Sequence, residues 1–446
     1  MGYPYRLLGT FLAFMASSAF AQSSPGLAPD LSSADTAWLL TASAFVLFMT
    51  PGLAFFYGGM VKPKHMISTM TQSFICMGLM SLVWIVAGFS LAFGDSLGGL
   101  VGQPLQYFML KGVDLNAHKD LAPTIPFLLY AFFQMKFAVI TPALITGSFA
   151  ERMNFKGFML FAMLFCLLIY APIAHWTWHP EGFLKSWGVL DFAGGTVVHL
   201  TAGCAALAGA LYLGPRRRQR DMTHGHVPYV LLGTGMLWFG WFGFNAGSAL
   251  GANGAAVTAL ATTHTAAAAA AISWMLYDMF SGHKPNATGI CMGAIVGLVA
   301  ITPAAAYVSI THSFLIGSIA AILSHLIVDM TKHSALDDTL DVFACHGIGG
   351  FVGMILTGVF AKDLGLIYGP REMFLNHVFA SVVVASFSFF GSYALFKLVD
   401  SIIPLRVCPV EEELGLDLCQ HGEATAWEES DEPLEENLSN ETLPHS

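Results

Sequence analysis

Two histidines stand inside long apolar stretches, each a short way after an aspartate: Asp191-Phe-Ala-Gly-Gly-Thr-Val-Val-His199 and Asp341-Val-Phe-Ala-Cys-His346. An imidazole within a membrane span is costly unless it is partnered, so two in parallel contexts point to a conduction path. Both lie among small residues, Gly194, Gly195, Ala202 and Gly203 for the first and Gly347, Gly349 and Gly350 for the second. Small residues let helices approach closely and bring their side chains into line. The chemistry on offer is a pair of imidazoles facing one pore. The plainer alternative is two unrelated buried histidines, each satisfied by a backbone carbonyl.

The elements that must carry these residues are membrane helices. With 55% hydrophobic and 11% charged residues, the chain is not a soluble domain. Apolar runs of about 20 residues recur along most of it, long enough to cross a bilayer as helices. Met1–Ala21 reads as a removable signal peptide: Arg6 precedes an apolar run from Leu7 to Met15, and Ala19-Phe-Ala21 gives a small-x-small cleavage site. After it the hydropathy predicts eleven spans, at 36–61, 67–93, 124–149, 155–175, 192–213, 227–248, 254–280, 287–307, 310–331, 343–361 and 373–402. Cleavage puts the new N-terminus outside, and an odd number of spans puts the C-terminus inside. The basic residues agree. Lys62, Lys64, Arg152, Lys156, Arg216, Arg217, Arg218, Arg220, Lys284 and Lys332 fall in inner loops, against Lys111, Lys119, Lys185, Lys362 and Arg371 in outer ones. The domain reading is therefore a signal peptide at 1–21, a transmembrane domain at 22–406 and a cytoplasmic acidic tail at 407–446.

The formal charge of −10 comes from that tail, which holds twelve Asp or Glu and no Lys or Arg. From Ala424 onward its composition favours disorder, whereas Glu411-Glu-Glu-Leu-Gly-Leu-Asp417-Leu, with spaced leucines, is expected to dock on the inner face. The seven cysteines offer no disulfide framework. The two aspartate–histidine segments fall in the fifth and tenth spans. A fainter echo links Thr50-Pro-Gly-Leu-Ala-Phe-Phe-Tyr-Gly-Gly59 in the first span to Gly240-Trp-Phe-Gly-Phe-Asn-Ala-Gly-Ser248 in the sixth. Five spans followed by five more gives an inverted repeat with a site between the halves. The fold class is thus an all-α membrane protein with a five-plus-five inverted repeat and an eleventh span outside it.

At this point the chain resembles the ammonium transporter family (the Amt/Mep/Rh group). The resemblance rests on residues 191–199, 240–248 and 341–347, on Phe133-Gln134 with Phe137-Ala138, and on Gly147-Ser-Phe-Ala-Glu-Arg152, and it runs from about Asp35 to Glu423. It implies a homotrimer in a bacterial inner membrane, each subunit with its own narrow pore, and no cofactor, nucleic acid or catalytic residue. His199 and His346 correspond to the twin histidines, which can relay protons or hold a small amine. Phe137, Trp178 and Ser248 correspond to an ammonium recruitment site, Phe137 and Phe244 to a stacked gate, and Gln134 and Asp191 to supporting residues. Asp191 is expected to cap backbone amides and not to bind substrate directly. Trp178 is preferred to Trp176 by its place in the motif.

Asp341 reads as the N-cap of the tenth span, and Lys136 as turned away from the vestibule. His175 and His179 read as interfacial residues; no third ligand accompanies them, so no metal site is expected. The family also implies a trimeric PII-type regulator at the inner face, with Arg216–Arg220 and Glu411–His421 as the docking surface. The leading reading is an electrogenic ammonium transporter. The alternatives are a neutral channel for ammonia or carbon dioxide of the Rh kind, and an ammonium sensor with little flux.

Overall fold

The structure is a computed structural model that describes residues 31–217, 225–369 and 371–424. The signal-peptide reading, Arg218 and Arg220, and the tail beyond 424 lie outside the described residues. Its principal helices are α1 (Ser33–Gly58), α2 (Pro63–Phe93), α3 (Phe127–Phe149), α4 (Phe155–Ser186, interrupted at 179–182), α5 (Gly195–Leu213), α6 (Val227–Gly247), α7 (Gly254–Phe280), α8 (Ala287–Ile301), α9 (Ile310–Lys332), α10 (Phe343–Phe360) and α11 (Glu372–Asp400). Among the described residues ten of these are long and apolar enough to cross a membrane, and α8, at 15 residues, is shorter. The hydropathy had extended α8 to residue 307. It stops at Ile301 because Pro303 follows and cannot continue a helix, and the Pro303 ring lies against Gly195 at the start of α5.

Burial sorts the helices into centre and perimeter. The apolar windows of α3 and α5 are 78% and 83% buried, while those of α2 and α11 are only 33% buried and keep an apolar face outward. Between lipid-facing helices hydrophobicity supplies little drive, so close packing of small residues does. Along α1 and α6 a Cβ on Gly233 would meet Phe56 N at 2.3 Å, one on Gly240 would meet Met49 Cγ at 2.2 Å, and one on Gly243 would meet Ala42 O at 2.7 Å. Numbers fall on one helix as they rise on the other, so the pair is antiparallel. A similarly close approach joins the two histidine-bearing helices: a Cβ on Gly203 of α5 would lie 2.1 Å from the Gly347 amide nitrogen of α10.

One end of the bundle is held by charge. Arg216 binds Asp337 at 2.9 Å and Glu151 at 3.2 Å. Burial alone would raise the Asp337 carboxyl, but bonds from Arg216 and the charge of Arg152 outweigh it and hold it below the ordinary carboxylate range. The tail docks here. Asp417 accepts from the Ile67 and Ser68 amides at 2.8 and 2.7 Å, capping the first turn after His65, and Glu412 pairs with Arg406 at 2.9 Å.

Three sequence readings are refined. Asp341 does precede α10, but it has a left-handed backbone (φ 55°), and the carboxylate that caps Phe343 N, at 2.7 Å, belongs to Asp338. His175 and His179 are buried beneath the loop that follows α2: His175 bonds Ala92 O and Ser96 Oγ at 2.9 and 2.8 Å and stacks on His179. Lys136 lies 5.7 Å over the partly exposed Phe132 ring, along the outside of the bundle.

Candidate conduction site

The site is built on two helix starts of the same design. Asp191 accepts from the Gly194, Gly195 and Thr196 amides at 2.8, 2.6 and 2.8 Å, and from the Thr196 hydroxyl. These amides are the donors that a helix start leaves unpaired, and a carboxylate is the favoured charge there. Gly194, at φ 113°, makes the sharp turn that folds the chain back onto its own cap. A π-helical turn, Gly195–Leu200, then carries His199. In α10 the Asp338 cap is followed by a second π-turn, Phe343–Ile348, which carries His346. Such widened turns often occur at functional positions, because they redirect a side chain within a helix.

The two turns bring the histidines together. Their Nδ1 atoms are 3.3 Å apart, with ring centroids at 5.4 Å and planes inclined by 21°. One Nδ1 must donate and the other accept, which leaves one Nε2 as an acceptor and the other as a donor. His199 Nε2 has no hydrogen-bond partner among the described residues. Both rings line a cavity of about 10 Å³, about the size of one water. Leu53, Ile140, Leu144 and Ile295 form much of its apolar remainder.

A column of aromatic rings leads to this pair. Trp178 meets Phe137 edge-on at 5.7 Å, Phe137 meets Phe244 at 4.4 Å, and Phe244 meets His199 at 5.8 Å. Phe137 and Phe244 are fully buried, whereas Trp178 is half-buried. The Trp178 indole is fixed by donating to Asp191 O at 3.0 Å. Trp176 instead donates to Leu100 O and packs on Phe183 and Phe387, away from the column. Ser248 donates its hydroxyl to Phe244 O at 2.8 Å, which leaves its lone pairs free to accept. Gln134, one helical turn from Phe137, is buried with its Oε1 unpartnered among the described residues.

Sequence reasoning missed two contributors. Trp241 stacks on His199 at 5.2 Å, nearly parallel, and donates to Thr302 Oγ1 at 2.9 Å. Asn245 donates to Thr263 Oγ1 at 2.8 Å. Trp241 sits three residues before Phe244, the spacing that places two side chains on one helix face, and that signal would have found it.

The sequence profile described as Ammonium Transporter Family matches residues 37–426. The chain belongs to the ammonium transporter family. Among its relatives, the ammonium transporter of Aquifex aeolicus is 44% identical over 93% of this chain and 97% of its own length. That of Bacillus subtilis is 42% identical over 87% and 97%. The crystal structure of Candida albicans Mep2 superposes with a TM-score of 0.82 at 35% identity, covering 92% of this chain and 93% of that one. This member of the family is thus a multi-pass membrane protein, and its family is one of transporters, not of enzymes.

Proposed function

We propose that this chain carries ammonium inward by an electrogenic route: deprotonation at the aromatic mouth, passage of ammonia past the histidines, and separate transfer of the proton. The observation that carries the reading is the His199–His346 pair, 3.3 Å apart in an apolar cavity of about 10 Å³ beneath a closed ring column. A charged ammonium cannot cheaply enter so narrow an apolar space, and losing its proton removes most of that barrier. His199 and His346 are the relay. Phe137, Trp178 and Ser248 recruit the cation, which gains roughly 0.5–2 kcal/mol over aromatic faces. The acceptor lone pairs of Ser248 favour ammonium over potassium, since only ammonium donates hydrogen bonds. Phe137 and Phe244 gate the pore, with Asp191 and Gln134 in support.

In the same reading α8 completes eleven spans in a five-plus-five inverted repeat, supported by the antiparallel α1–α6 pair and the matched starts of α5 and α10. The chain assembles as a homotrimer in a bacterial inner membrane after loss of residues 1–21, with its tail end inward. A PII-type regulator docks on that end; Arg216 is already engaged by Asp337 and Glu151, so the contact falls to neighbouring residues.

The test is charge movement across potassium-loaded liposomes after an ammonium jump, with a potassium jump as control. A saturable ammonium-specific current is expected. Internal alkalinisation without current would replace this mechanism with neutral ammonia conduction. A second reading, sensing with little flux, is favoured by one likeness: a protein described as Sensor Amt Protein superposes with a TM-score of 0.79 at 30% identity over 87% of this chain and 98% of its own. A folded protein that gives neither signal would favour it.

A further inference from the structure

Beyond the histidine pair, toward the tail end, lies a second cavity of about 140 Å³, walled by Gly59, Met60, Val227, Met292 and Leu340 and carrying the polar side chains of Thr288, Thr339 and Asp341. It continues the first along the same elements. On α8 the lining passes from Ile295 to Thr288, seven residues or about 10 Å along a helix, while around α10 it passes from His346 to Asp341. Thr339 is occupied, since it receives a bond from Arg152 and lies 3.3 Å from Ser148 O. Asp341 is different. Asp191 is saturated by donors and Asp338 caps α10, yet no hydrogen bond reaches the Asp341 carboxylate among the described residues. Its left-handed backbone, uncommon for a non-glycine residue, holds it at the wall of the cavity. Burial, with the charge of Asp338 adding to it, pushes this carboxyl up to about 8, as expected of a negative charge that lacks a partner.

We propose that the Asp341 carboxylate and the Thr288 hydroxyl form a binding site for ammonium, or another small cation that donates hydrogen bonds, at the tail-side mouth of the pore. The site rests on the transport reading above and extends it: the substrate is held at both mouths, by aromatic faces at one and by a carboxylate at the other. Charge-assisted bonds to an otherwise unpartnered carboxylate are the stronger kind. A cation is favoured over an anion because no basic side chain lines the cavity.

The experiment uses the full chain in liposomes, oriented by a tag on its tail, with ammonium presented to one mouth at a time. Asp341→Asn keeps the shape of the side chain and suits a left-handed backbone, so folding is expected to survive. It should raise the half-saturation for ammonium coming in by the tail-side mouth about tenfold, the scale of one lost charge-assisted bond, and by less than about twofold from the aromatic mouth. Thr288→Val should act in the same direction by a smaller factor, about threefold. Unchanged half-saturation at the tail-side mouth would overturn the site. Equal losses at both mouths would also overturn it and make Asp341 a residue that shapes α10. Absence of current in the unsubstituted protein, by contrast, would defeat the transport reading itself and this inference with it.

Discussion

The two mouths of the pore each present an aspartate, and the two are put to opposite use. At the aromatic mouth Asp191 is consumed by its own backbone: three amides and a hydroxyl converge on it, and its main-chain oxygen takes the Trp178 indole. It therefore builds the mouth without presenting a free oxygen to substrate. At the tail-side mouth Asp338 takes the capping role, which leaves Asp341 free to face the cavity. A carboxylate's function in an apolar bundle is set less by its position in a motif than by how many donors the backbone has already supplied.

The harshest test of the whole axis lies between the mouths. His199→Ala or His346→Ala should abolish the ammonium current while the assembled protein remains, as judged by size-exclusion profile and current on the same preparation. Undiminished current in both variants would remove the relay. Next in size is the contrast of the two aspartates. Asp191→Ala orphans several buried donors at once, each costing about 1–3 kcal/mol, so thermal unfolding in detergent should fall steeply or folded protein should be lost. Asp341→Ala should shift it by no more than about 1 kcal/mol. Equal melting of the two variants would erase the distinction drawn here.

A smaller effect is expected at the aromatic mouth. In the proposed reading Phe137→Ala would remove a cation–π face worth roughly 0.5–2 kcal/mol and open the ring column, so selectivity for ammonium over potassium should drop in paired current measurements. Loss of folded protein instead would return Phe137 to the packing core. The mildest prediction concerns pH. The folded Asp337 carboxyl is held below its ordinary value, so its contribution is complete above the unfolded value of about 3.9 and is lost as pH falls through the lower folded one. Unfolding midpoints should therefore decline below about pH 4, and Asp337→Asn should flatten that part of the profile.

Much of the site was legible because its residue types are costly where they stand. Histidines in apolar spans, and small residues beside them, announce themselves by composition alone, and the structure brings His199 and His346 into contact. Trp241 was passed over because an aromatic residue in a membrane helix usually means packing; its type gives no sign of the stack on His199, and only its spacing from Phe244 does. The choice between Asp338 and Asp341 as cap was equally hidden. It depends on one left-handed residue, a backbone property that Asp tolerates but does not signal. The end of α8 shows the limit of hydropathy: residues 302–307 are apolar enough to extend a span, yet Pro303 ends the helix so that its ring can seat against Gly195.

The contact between Gly203 and Gly347 has a consequence for how the protein works in time. With backbone against backbone, the two histidine-bearing helices have no intervening layer of side chains on which to slide, and displacing one past the other would force the main chains into collision. Under the proposed transport reading, the centre of the molecule would then act as a fixed conduit, with the way past the histidines opened by rotation of side-chain rings and not by movement of the two helices. Turnover should then depend only shallowly on temperature, in the manner of a channel, where a carrier that must rock between two faces would slow sharply on cooling.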